Sequence, residues 1–117
     1  MTRSGHQTGL EAEKLCRLAL RLKFYRIVAE RYKTPMGEID IVAARGRSLI
    51  AIEVKARATR DAAVASISHN QQQRIVAAMQ DFVMRHPHYR RFDLRFDVMA
   101  VMPRRWPLHI KNAWQVD

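Results

Sequence analysis

The stretch from Gly37 to Arg57, GEIDIVAARGRSLIAIEVKAR, is the strongest constraint on what this chain can fold into. Two apolar runs, Glu38 to Ala44 and Leu49 to Ala56, flank a short polar turn, the pattern of a β-hairpin. Side chains alternate along a strand. Ile39, Ile41 and Ala43 therefore share one face of the first strand, and Glu38, Asp40 and Val42 the other. On the second strand Ile50, Ile52 and Val54 oppose Leu49, Ala51, Glu53 and Lys55. The two aliphatic sets reach one core only if paired positions add to an odd number. A two-residue turn at Gly46-Arg47 does this, as does a four-residue loop from Arg45 to Ser48. Loops of three or five residues split the oily face.

That register sets Glu38 opposite Lys55 and Asp40 opposite Glu53. The first is an ordinary cross-strand ion pair. The second is not, because directly opposed residues have Cβ atoms about 4.5–5.5 Å apart. Two carboxylates at that range repel, and a pKa rises unless something positive sits between them. A divalent cation resolves the conflict. Mg²⁺ takes one or two carboxylates, keeps several waters and binds substrate phosphates, and Mn²⁺ suits the same oxygens. Lys55, two residues beyond Glu53, lies on the same face, within reach of a water or a phosphate. The plainer alternative is a wet, solvent-facing polar surface.

Around the hairpin, Thr8 to Phe24 reads as a helix, with Thr8 and Glu11 as a capping box and Ala12, Leu15, Cys16, Ala19 and Leu22 as its apolar stripe. Tyr25 to Thr34 reads as a strand and Pro35-Met36-Gly37 as a turn. Ser68 to His86 is a second helix, capped by Ser68 with Gln71 and closed by Pro87. Ile75, Ala78, Met79, Phe82 and Val83 form its buried face. Arg91 to Met102 alternates as a long strand, and Pro107 to Trp114 reads as a last one. The order α-β-β-β-α-β-β describes an α/β domain. The crossover through the second helix calls for a parallel neighbour, hence a mixed sheet covered by helices.

At 117 residues the chain suits one domain. No apolar run reaches bilayer length, and the N-terminus lacks the apolar core of a signal peptide. Its first seven or so residues are expected to fray. One cysteine, Cys16, excludes an internal disulfide and fits a reducing cytoplasm; on a core face it reads as inert packing. Lys and Arg number 21 against 11 Asp and Glu, a formal charge of +10. The excess is largely Arg, which suits phosphate forks. A nucleic acid is the expected partner, ahead of a membrane surface.

The sequence AEKLC, GEIDIVA, IEVKAR, RFDVMAV and HIKNAW, in this order, resembles the YraN family. These are small bacterial proteins similar to archaeal Holliday junction resolvases within the PD-(D/E)XK nuclease superfamily. The resemblance runs from about Thr8 to Trp114. It implies a restriction-endonuclease-like fold and Mg²⁺- or Mn²⁺-dependent hydrolysis of DNA phosphodiesters, with branched or structured DNA as a substrate class. By position, Asp40 and Glu53 match the metal-binding acids, Lys55 the catalytic lysine, and Glu13 the acid of the first helix, a third ligand or water positioner. Glu38 belongs to the Gly-Glu-Ile-Asp signature. Two positions depart from the family's usual residues: Arg31, commonly Asn, and Gln71, commonly basic. Resolvase-like enzymes act in pairs, so a homodimer is one expectation.

Several residues admit two readings. Glu13 alone reads as a surface glutamate near a helix start. Gln71, Gln72 and Gln73 read as a polar helix start, or Gln71 as a contact to substrate. Arg57 and Arg60, in the segment joining the hairpin to the second helix, suit a loop that clamps a phosphate backbone, or an ordinary solvated linker. His86 and His88 lack the further ligands that zinc needs. Asp97 reads as the partner of a nearby Arg. Trp106 and Trp114 read as core or interface residues. Three functions compete: a metal-dependent endonuclease, a nucleic-acid-binding module without turnover, and a basic protein that binds an acidic partner.

Overall fold

In the computed structural model, described over residues 5–116 with side chains from Gly9 onward, helix α1 spans Gly5–Leu22. Strands β1 (Arg26–Lys33), β2 (Glu38–Arg45) and β3 (Ser48–Ala56) follow, then helices α2 (Arg60–Ala65) and α3 (His69–Arg85). A 3₁₀ turn at Pro87–Tyr89 leads into β4 (Asp93–Val101) and β5 (Leu108–Trp114). The strands form one sheet in the order β1-β2-β3-β4-β5, antiparallel except for the parallel β3–β4 pair. The mixed sheet is thus as the sequence implies, and its architecture is compatible with a nuclease-like fold. Among the described residues, no helix is long and apolar enough to cross a membrane.

Both faces of the sheet are covered. Ile75, Ala78, Met79 and Phe82 of α3 pack on Val42, Ala44, Leu49, Ala51, Phe96 and Val98. Cys16, Ala19 and Leu20 of α1 pack on Ile41, Ala43, Ile50, Ile52 and Met99. This explains why β2 and β3 read as nearly unbroken apolar runs: strands buried on both faces lose the polar half of the alternation. The expectation of a single oily face is corrected accordingly, although the register it led to is right. Ile41↔Ile52, Val42↔Ala51, Ala43↔Ile50, Ala44↔Leu49 and Arg45↔Ser48 pair across a two-residue turn, with Gly46 at φ 61°.

Other boundaries differ. The element order gains α2, inside the segment read as a linker. Thr59 caps it, its side chain accepting from Ala62 N–H at 3.1 Å, and Ala63 is buried beneath. Helix α1 begins at Gly5, so Thr8 lies within it rather than capping it. Of the seven residues expected to fray, 1–4 lie outside the described residues and 5–7 are helical. Leu22 is 63% exposed, and the stripe ends instead at Leu20, which is fully buried. The reason is the turn after the helix, where Tyr25 N–H reaches back to the Leu20 carbonyl and Phe24 adopts φ 68°.

Candidate functional site

The β2–β3 ladder stops at Ile41↔Ile52, one rung short of the carboxylates. There the Asp40 side chain takes over the role of a rung. Its Oδ2 accepts the Val54 N–H at 2.8 Å. The strands are held together there by a side chain, and the Asp40 and Glu53 carboxyls lie close enough to interact directly. On the other side of β2, Arg31 stands where the residue facing Asp40 belongs, with φ 49°. That left-handed backbone is tolerated best by Gly and Asn and is strained for a long side chain. The alternation of β2 also breaks at this point: Ile41 packs toward α1, yet Ile39, two residues earlier, packs toward α3. Asp40 therefore sits where the strand changes face.

Gly37 sets the entry to this strand. A Cβ there would lie 2.4 Å from the Arg74 carbonyl oxygen of α3, so the turn before Glu38 closes against the helix only because the residue is glycine. Helix α3 supplies a further contact. Ser68 caps it, accepting from Gln71 N–H at 3.1 Å. In a capping box the Gln71 side chain would return to the cap; instead its Nε2 donates to Glu53 Oε1 at 3.3 Å.

Glu53 is 7% exposed and lies 3.6 Å from Lys55 Nζ. Burial and the charge of Asp40 push its carboxyl up to about 8, against the opposing pull of Lys55. Asp40 is raised as well, chiefly by burial and then by Glu13, with the Val54 N–H acting the other way. The one buried and one half-buried carboxylate thus have less positive charge near them than two ionised groups require. Two carboxylate groups at the end of the β2–β3 ladder form an oxygen donor set suited to a hard divalent cation. The residues present fit such an ion.

Glu13, buried on α1, is gripped by Arg31 through two hydrogen bonds of 3.1 Å. With Arg31, Lys33, Glu38 and Asp40 it lines a depression of about 220 Å³. A second depression of about 150 Å³ is lined by Glu38, Asp40, Glu53, Gln71 and Arg74. Asp40 and Glu38 border both. The structure therefore brings Asp40, Glu53, Lys55 and Gln71 together, with Glu13 and Glu38 at the margin. The expected Glu38–Lys55 pair does not form, because the ladder ends first: Glu38 is paired with Lys33 across β1, at 3.8 Å. Among the described residues, no three His, Cys, Asp or Glu side chains converge as a ready metal cage.

Arg57 is exposed beyond β3 and donates to the Ala56 carbonyl at 2.8 Å. Arg60 pairs with Asp61 at 3.4 Å and lines a separate hollow with Lys111 and Asn112. Neither borders the carboxylate depressions. Arg74 does, and sequence reading missed it; its position, three residues after Gln71, puts it on the same side of α3.

Other candidates resolve as packing. Cys16 is fully buried, and burial first, then the charges of Asp40 and Glu13, push its thiol up to about 12. Asp97, fully buried, accepts from Arg95, from Asn112 N–H at 2.9 Å and from His109 at 2.6 Å. Trp114 stacks on Phe96 within the core, whereas Trp106 is 53% exposed. His86 stacks on Phe82 with ring centroids 4.1 Å apart.

The pattern of the uncharacterised protein family UPF0102 matches residues 12–101. A UPF0102 protein of Parvibaculum lavamentivorans is 50% identical over 112 residues, covering 96% of this chain and 84% of its own. One of Chelativorans sp. is 48% identical over 109 residues, covering 93% and 88%. One of Nitrobacter winogradskyi is 47% identical over 106 residues, covering 91% and 90%. With this match across most of its length, the chain belongs to the uncharacterised protein family UPF0102, the YraN family that its motifs resemble.

Proposed function

We propose that the chain is a divalent-cation-dependent endonuclease that hydrolyses phosphodiester bonds in DNA. One observation carries the reading: two carboxyls, buried Glu53 and half-buried Asp40, meet where the sheet ladder ends, with Lys55 beside them. A polar surface made only for solubility would leave both groups in water. Asp40 and Glu53 would hold Mg²⁺ or Mn²⁺. The Val54 carbonyl is a third oxygen, since a strand residue's N–H and C=O point to the same edge and this N–H faces Asp40. When bound, the cation supplies Lewis-acid polarisation of the phosphate and a water of lowered pKa.

The chain's own groups do the rest. The Val54 N–H fixes one Asp40 rotamer, and Gln71 and Lys55 fix Glu53. Lys55 donates toward the attacking water or the developing phosphate charge. Arg74, at the rim of the smaller depression, offers a fork to a phosphate oxygen. The grip of Arg31 on Glu13 favours a second reading, a nucleic-acid-binding module without turnover, because it engages the acid expected to complete the ligand set.

Incubation with branched, flapped, single-stranded and duplex DNA, in Mg²⁺, Mn²⁺ or EDTA, tests the first reading. Cleavage by the wild type that is lost in EDTA and in Asp40→Asn supports it. Binding without cleavage on every substrate and metal supports the second.

A further inference from the structure

At the opposite end of the sheet from Asp40 and Glu53, three exposed arginines surround one hollow of about 590 Å³. Arg47 comes from the β2–β3 turn, and Arg90 and Arg91 from the segment before β4. Pro87, His88 and Phe92 complete its wall, the last two with ring centroids 5.8 Å apart. Along β3, Arg47 is six residues from Glu53, roughly 20 Å.

Neighbouring arginines are committed to the fold. Arg26 donates to the Tyr89 hydroxyl at 3.0 Å, and Arg45 lies over the Tyr25 ring at 4.3 Å. Arg47, Arg90 and Arg91 make no side-chain hydrogen bond or ion pair among the described residues. Asp93 is the acid nearest in sequence; its N–H bonds the Arg47 carbonyl, which fixes the turn against β4, but its carboxylate is paired with none of the three. The segment is anchored from beneath by Tyr89, which is buried and packed on Phe82 and Phe92.

Three unpaired guanidinium groups around one hollow repel one another in a chain already at +10. An anion with several acceptor oxygens offsets that cost. Guanidinium forks match phosphate geometry, and the exposed ring of His88, backed by the half-buried Phe92, offers a face on which a base or sugar can pack. We infer that Arg47, Arg90 and Arg91 form a second docking site for a nucleic-acid backbone, remote from the carboxylate pair. The site holds a segment of nucleic acid other than the phosphate at Asp40 and Glu53. It stands apart from the nuclease reading, because it requires binding and not turnover.

The test is fluorescence anisotropy of labelled 20-base-pair duplex and 20-nucleotide single-stranded DNA, in EDTA, from about 50 to 200 mM salt. Each phosphate contact contributes about −0.9 to the log–log salt slope on duplex, and about −0.7 on single strands. The triple variant Arg47→Gln, Arg90→Gln, Arg91→Gln is expected to reduce the duplex slope by about 2 to 3 and to weaken binding at 100 mM salt at least ~10-fold. The Arg→Lys triple retains charge, so its slope stays within about one of the wild type. Asp40→Asn, which abolishes cleavage under the nuclease reading, leaves the contribution of the three arginines unchanged.

An unaltered slope in the Gln triple overturns the inference, as does a wild type that fails to bind DNA at low salt. Polyglutamate or phosphatidylserine vesicles binding as tightly as DNA, through the same three residues, overturn it in favour of an acidic protein or lipid surface. Lack of cleavage with the slope change present defeats the nuclease reading alone.

Discussion

Replacing Glu53 by Gln is expected to stabilise the protein at alkaline pH. Glu53 is pushed from 4.5 up to about 8 by burial and by Asp40. Its folded-state value lies above its unfolded one, so the folded chain holds a proton that the unfolded chain releases. Stability is fully present below about pH 4.5 and falls as the pH rises toward 8, at about 1.4 kcal/mol per unit. Across the whole window the loss is on the order of 5 kcal/mol. Gln is the isostere of the protonated acid and cannot ionise. At pH 5 the variant and the wild type should therefore match within about 1 kcal/mol. At pH 8.5, after allowance for the lost Lys55 pair, the variant should be ahead by at least about 2 kcal/mol, or roughly 8 °C in Tm. Urea denaturation in EDTA at pH 5, 7 and 8.5 measures this, and millimolar Mn²⁺ should stabilise the wild type but not the variant. A Gln variant less stable than wild type at pH 8.5 would refute the reasoning, since the carboxylate would then be stabilising through Lys55 and Gln71.

Lys55→Ala should retain Mn²⁺ binding in calorimetry while cleavage falls about 100-fold or more; loss of metal binding would reassign Lys55 to holding Glu53 in place. Gly37→Ala puts a Cβ against the Arg74 carbonyl and should cost about 1–3 kcal/mol in urea denaturation; an unchanged midpoint would show that the turn yields freely. Asp97→Asn breaks a buried charge network held below its ordinary pKa by His109, Arg95 and Asn112 N–H against the cost of burial. It should lose about 3–5 kcal/mol at pH 7. Because the Asp97 value is depressed, its contribution is present above the ordinary carboxylate range and fades as the pH falls through its folded value. A variant whose deficit is as large at pH 2 as at pH 7 would contradict this.

The hairpin's register was legible because a slip of one residue would move every side chain to the other face, and only one family of turns agreed with the composition. The same argument placed Asp40 and Glu53 together. It misjudged Glu38, because alternation says nothing of where a ladder stops, and Asp40 ends this one by accepting the Val54 N–H. Helix α2 was missed since six residues carry too little periodicity, although Thr59 with Asp61 offered a start signal. Leu22 was assigned to the core by a stripe that continued past the point where the chain turns. Arg74, three residues after Gln71, could have been placed on the same side of α3, but that this side faces the site follows from the packing of α3 against Gly37, a contact between residues distant in sequence.

The two-residue turn at Gly46-Arg47 also sets a sequence of events in time. Hairpins close within about 1–10 μs, whereas the parallel β3–β4 pairing joins Ser48 to Asp93 and waits on a long loop. On these timescales Asp40 and Glu53 are expected to come face to face while both are still hydrated, when their repulsion is weak. The conflict grows only as α3 docks and brings Gln71 and Ile75 over them. On that order of events, the cost of the site is expected on the native side of the folding barrier. In stopped-flow experiments Glu53→Gln at pH 8.5 should leave the folding limb nearly unchanged and slow unfolding; a faster folding limb would mean the carboxylates are already desolvated at the transition state. With the folding limb unchanged, the strain of the site is a matter of lifetime, and a cation bound there would hold the folded chain closed rather than help it form.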